Sequence, residues 1–129
     1  MLLLEGEDDL SKQVSHVFGG SFVVARFRNP RSAIGMLSDD PDICAIITEQ
    51  VMRGADGVVL LESIRTMRPL VRRIMVTRYP EMAGIADGLK SGAIQALVQK
   101  PASDADLLVA VFPEMANLSA AATIRRASA

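Results

Sequence analysis

The sequence predicts an open α/β fold: a five-stranded parallel sheet, doubly wound, with helices on both faces. Three observations carry this. Short apolar runs of strand length alternate five times with stretches of helical apolar spacing. The central run, Ile43 to Thr48, is continuously hydrophobic, as a strand buried on both faces must be. Polar residues stand at four strand ends, Glu5, Glu49, Thr77 and Lys100, where an open α/β sheet keeps its crevice.

The elements follow in order. Leu2 to Leu4 is a brief first strand ending in Glu5-Gly6-Glu7-Asp8-Asp9. Leu10, Val14, Val17 and Phe18 recur at helical spacing, with acids in the first turn to suit the helix dipole, and Gly19-Gly20 ends the run. Phe22 to Phe27 is the second strand. Asn29-Pro30 then supplies a cap and first-turn pair for a short helix carrying Ala33, Ile34 and Leu37, closed by Asp39-Asp40-Pro41.

After the third strand, a turn over residues 54–57 precedes an apolar stripe of Leu60, Leu61, Ile64 and Met67, stopped by Pro69. Ile74-Met75-Val76 forms the fourth strand. Pro80 is expected to open the next helix, with Met82, Ile85, Ala86 and Leu89, closing at Gly92. Ala93 to Val98 is the fifth strand. Ser103 with Asp106 forms a capping box for the last helix, whose inner face is Leu107, Leu108 and Val111. Pro113 lacks a backbone donor, so a kink or a fresh start is expected there.

Composition narrows the function classes. The 129 residues suit one domain, and the apolar and charged fractions, 50% and 22%, are those of a globular protein. A net charge of -1 gives no field for nucleic acid and no cationic face for membrane. Met-Leu-Leu-Leu is too short for a signal segment and no run approaches membrane-spanning length, so a cytoplasmic location is expected. Cys44, the single cysteine, excludes an internal disulfide and is expected to be a buried small hydrophobe. The methionines read mostly as core packing. His16, on the polar side of its helix, reads as a solvated histidine, and Arg125-Arg126-Ala-Ser128 as solvated charge.

Several short motifs then come together: an acid before Met52-Arg-Gly-Ala-Asp-Gly57, Val76-Thr77, Gly92-Ala93 and Lys100-Pro101. Their order resembles the receiver domain of two-component response regulators over roughly residues 1 to 118, with 119 to 129 expected to be a flexible tail or linker remnant. The resemblance implies a flavodoxin-like strand order 2-1-3-4-5. It also implies a phosphoacceptor at the end of the third strand, a magnesium-binding acidic pair after the first, a phosphate-sensing Thr and a neutralising Lys. Such a set suits chemistry that rests on positioning and charge neutralisation.

On this resemblance the acceptor position holds Glu49, the acidic pair falls on Glu5 and Gly6, and Thr77 and Lys100 are retained. Three departures weaken the site. Glu49 reaches one methylene further than Asp, and Gly6 brings no carboxylate. Arg78, where the family has a small residue, is placed to cover the pocket and pair with Glu49 or Glu5. Leu97 replaces the aromatic switch. A register slipped by three would put Asp8-Asp9 in the acidic-pair role, and ranks below the first.

The expected function is therefore a non-enzymatic, pseudo-receiver module in phosphorelay signalling, without conventional phosphorylation. It would have no catalytic residue and at most weakly held Mg²⁺. The expected partner is a histidine kinase, an output domain or a second copy of the chain. The family's usual partner face would use Met82, Leu89, Leu97 and the segment after Pro113. Two alternatives stand: a receiver still phosphorylated with weakened magnesium dependence, and a flavodoxin-like enzyme or ligand binder. No Gly-rich phosphate loop, nucleophile motif or His/Cys cluster in the sequence supports the latter.

Overall fold

The computed structural model describes residues 2–4, 8–52 and 55–115. Glu5, Gly6, positions 53 and 54, Leu118 and the expected tail lie outside the described residues. Five parallel strands form the main sheet: β1 (Leu2–Leu4), β2 (Val24–Arg26), β3 (Ala45–Thr48), β6 (Arg72–Thr77) and β7 (Ala96–Gln99). Their order is β2-β1-β3-β6-β7, the expected 2-1-3-4-5 arrangement. A two-stranded antiparallel hairpin, β4 (Val51–Met52) with β5 (Ala55–Asp56), stands where a simple turn was expected.

Period-two alternation assigns the central strands to two cores. Ile46 of β3 and Met75 of β6 face one side, against Ala33 and Leu37 of α2 (Pro30–Asp39), Leu60, Leu61 and Ile64 of α3 (Gly57–Met67) and Ile85 of α4 (Ile85–Ser91). Ala45 and Ile47 of β3, with Ile74 and Val76 of β6, face the other. There they meet Leu10, Val14 and Phe18 of α1 (Asp8–Phe18) and Leu107, Ala110 and Val111 of α5 (Asp104–Val111). Phe18, Phe22 and Phe112 close the second core as an aromatic trio, with ring centroids 5.4–6.5 Å apart.

Local chemistry explains most boundaries. Asn29 and Ser103 both make reciprocal capping boxes, with Ser32 and Asp106 as their partners. Asp56 accepts from the Val58 and Val59 N–H groups and starts α3. Gly92, at φ +85°, ends α4. Helix α5 stops at Val111, before Pro113.

Some expectations need correction. Pro80 does not open α4: residues 79–84 form turns, and Gly84 at φ +91° delays the helix to Ile85. Cys44 is exposed, although its carbonyl accepts the Arg72 N–H at 2.9 Å. Met67 is exposed at the last turn of α3. The second and fifth strands are shorter than their apolar runs: sheet pairing covers only Val24–Arg26 and Ala96–Gln99. No helix among the described residues is long and apolar enough to cross a membrane.

Candidate functional site

The parallel sheet delivers the ends of β3, β6 and β7 to one edge, and the register fixes how closely they meet. Thr48 pairs with Met75, and Thr77 with Gln99. Glu49 therefore leaves β3 beside β6, and Lys100, which follows β7 one strand further on, reaches across the end of β6 toward it. The Lys100 N–H donates to the Thr77 carbonyl at 2.8 Å, and the Lys100–Pro101 peptide is cis.

Lys100 and Glu49, assigned by the resemblance to the neutralising and acceptor positions, meet here. The Lys100 ammonium is ion-paired with Glu49 Oε1, and the two side chains are only 5% and 17% exposed. Asp9, in the first turn of α1, stands on the other flank of the ammonium, its Oδ1 3.9 Å from Nζ. Arg78 continues the chain of charge, with a guanidinium nitrogen 3.6 Å from Asp9 Oδ2. The four groups alternate in sign: Glu49, Lys100, Asp9, Arg78. An open cavity of about 270 Å³ lies against this line, bordered by Asp9, Leu10, Gln13, Arg78, Lys100 and Ala102.

The Asp9 carboxyl is held below the usual carboxylate range. The largest cause is the Leu10 N–H, which donates to Oδ1 at 2.8 Å; desolvation opposes it, and Lys100 and Arg78 add to it. Thr77 is buried at the end of β6, and its Oγ1 accepts the Tyr79 N–H at 3.0 Å. Leu97 is half-buried and packs on the core that holds Met75 and Ile94.

Of the residues singled out from the sequence, the structure thus brings Glu49, Lys100, Thr77 and Arg78 to one sheet edge. Glu5 and Gly6 lie outside the described residues. Among the described residues Arg78 approaches Asp9, at the helix start where the slipped register had looked for acid. Helix α1 begins at Asp8, and Asp9 in its first turn approaches Lys100.

A magnesium ion needs a near-octahedral set of oxygens. Among the described residues no three His, Cys, Asp or Glu side chains gather. The two carboxylates that do approach, Glu49 and Asp9, both face the Lys100 ammonium. The described donors by themselves do not fit the ion.

Three buried or half-buried polar residues escaped sequence reasoning. Gln50, 4% exposed, follows Glu49 and joins three segments through its amide. Arg73, 4% exposed, donates to the carbonyls of Pro69, Val71, Gly92 and Ala93. Burial lowers the pKa of its guanidinium. Arg68 gathers the carbonyls of Leu37, Asp40, Pro41 and Ile43. The only signal in the sequence was a polar residue set inside or directly after an apolar run.

Comparison with known proteins agrees with the geometry. The response regulator receiver domain profile matches residues 1–112, and the chain belongs to that family. Similar solved structures include an adenylate cyclase from Rhodopirellula baltica (15% identity over 97% of this chain and 93% of that one, TM-score 0.76). Another is the N-terminal signal receiver domain of a response regulator from Bacteroides fragilis (17%, 87% and 92%, TM-score 0.73). A third is the receiver domain of a signal transduction histidine kinase from Syntrophus aciditrophicus (19%, 90% and 89%, TM-score 0.71). At these identities the likeness is one of fold. The comparison with curated proteins found no significant match.

Proposed function

We propose that this receiver domain serves two-component signalling as a protein-interaction module, without conventional phosphorylation and without catalysis of its own. The observation that carries the reading is the ion pair between Glu49 and the nearly buried Lys100. Phosphoryl transfer depends on a carboxylate of fixed reach and on cations free to neutralise the arriving group. Here the acceptor-position carboxylate is longer and already neutralised, and Arg78 lies over the same edge through Asp9.

Glu49 stands as a fixed, partial substitute for a phosphorylated acid. It carries one negative charge where a phosphoryl group brings about two. A fixed charge shifts no equilibrium unless something changes its interaction with the two states. The domain then presents one surface to its partner, which is a histidine kinase, an output domain or a second copy. Magnesium is at most weakly held, nucleic acid and membrane are not partners, and the setting is cytoplasmic.

Retention of both Thr77 and Lys100 at the edge favours one competing reading, a receiver still phosphorylated on Glu49 with weakened magnesium dependence. An NMR titration with Mg²⁺ and beryllofluoride separates the two. The proposal expects no saturable shift at the Thr77 and Lys100 amides. Saturable shifts at both would establish the competitor.

A further inference from the structure

We propose that Gln50 is a positioning residue that pins the start of α4 to the acceptor strand. In effect it hard-wires the helix to the Glu49 backbone. The inference rests on the reading above only for the identity of that strand.

Gln50 follows Glu49 directly, and its amide is used almost to capacity. Nε2 donates to Asp56 Oδ2 at 3.1 Å and to the Ala83 carbonyl at 3.3 Å, while Oε1 accepts the Val58 N–H at 3.0 Å. The Gln50 carbonyl also takes the Gly57 N–H at 2.8 Å. One side chain therefore ties the end of β3 to the cap and first turn of α3 and to the loop that enters α4. An amide has two donor hydrogens, and both are spent here. In a site this buried, a lost partner leaves a polar group whose desolvation goes uncompensated.

The α4 end of this tie is where the helix most needs one. The helix spans only Ile85–Ser91, and its N-cap is Gly84, which has no side chain to accept from the first turn. Gly84 takes φ +91°, and its carbonyl receives the first α-helical bond, from Gly88 at 2.9 Å. A helix this short is not stable by itself. Its middle is held by contact: a Cβ on Gly88 would come within 2.9 Å of both Val58 and Ile94. Its far end is held by Ser91 Oγ donating to Glu62 Oε2 at 2.9 Å and by Arg73 on the Gly92 carbonyl at 3.1 Å. The N-terminal end is held by Ile85 in the core, by the Ile85 N–H on the Met82 carbonyl at 3.2 Å, and by the Gln50–Ala83 bond, the one tie that reaches the acceptor strand. Thr77 and Leu97 do not supply this link in the described contacts: Thr77 accepts from Tyr79, and Leu97 packs into the core.

The test compares wild type with Gln50→Met, which keeps length and burial but removes all three amide bonds. Backbone amide exchange is read by NMR under native conditions. The Ile85 and Gly88 amides should exchange about tenfold faster, the scale set by one lost buried hydrogen bond. The Phe112 amide at the end of α5 should stay within the change in global stability. Uniform acceleration everywhere, or none in α4, would overturn the proposal. If the variant does not fold, the wild-type side chain still decides. The two Gln50 amide protons should be resolved, slow to exchange and close to Ala83 in NOE spectra; rapid exchange with solvent would overturn the assignment. Neither result depends on beryllofluoride, so this proposal and the unphosphorylated reading can fail separately.

Discussion

Removing the Lys100 charge is the perturbation that tests the site's electrostatics most sharply. Lys100→Met keeps the aliphatic stem and leaves Glu49, 17% exposed, without its nearest cation. Breaking a fully buried pair by deleting one partner costs about 3–5 kcal/mol. Glu49 keeps some contact with water, so the expected loss is smaller, about 1.5–3 kcal/mol. Glu49→Gln should cost less, about 1 kcal/mol, because the Lys100 ammonium retains Asp9 at 3.9 Å. The double variant no longer buries an uncompensated charge and should recover part of the loss. The cycle should therefore show a coupling of about 1–2 kcal/mol, within the range for residues in direct contact. Urea unfolding of the four proteins, analysed with a common slope, measures it. Additivity within about 0.5 kcal/mol would refute the pair as an energetic feature of the folded protein.

Three further outcomes follow from the same contacts. A Cβ at Gly57 would fall inside the van der Waals surface of the Glu49 carbonyl oxygen and 3.0 Å from Met75 Cε, so Gly57→Ala should destabilise by about 1–3 kcal/mol in thermal melts. The Asp9 pKa is depressed on folding. Its contribution is present above its ordinary value of 3.8 and is lost as pH falls through the lower, folded value. A carboxyl NMR titration should place the midpoint below 3.8, and Lys100→Met should raise it only in part, since the Leu10 N–H is the larger cause. Finally, Glu49→Asp combined with Gly6→Asp should create measurable Mg²⁺ affinity by isothermal calorimetry; a folded double variant with none would contradict the register that places Gly6 in the acidic pair.

The fold was legible because its signals are local. The continuous apolar run from Ile43 to Thr48 marked a strand buried on both faces, as the split of Ile46 and Ile47 between the two cores shows, and caps at Asn29 and Ser103 marked two helix starts in advance. Pro80 misled for a physical reason: its ring suits a first helical turn, but Gly84 adopts a left-handed backbone that postpones the helix. The candidate site was legible only where strand ends carried it, at Glu49, Thr77 and Lys100. Asp9 reaches it from the first turn of a helix, where its charge looked like a dipole complement and entered the site only through the slipped register. Gln50 and Arg73 depend on partners up to 33 and 20 residues away, Ala83 and Ala93, and no short-range pattern encodes those bonds.

On the proposed reading, Glu49 replaces a phosphoacceptor without inheriting its chemistry. Intact-protein mass spectrometry after incubation with acetyl phosphate and saturating Mg²⁺ tests it most directly. The wild-type chain should keep an unchanged mass. A stoichiometric phosphoryl adduct, mapped to Glu49 and absent in Glu49→Gln, would contradict it.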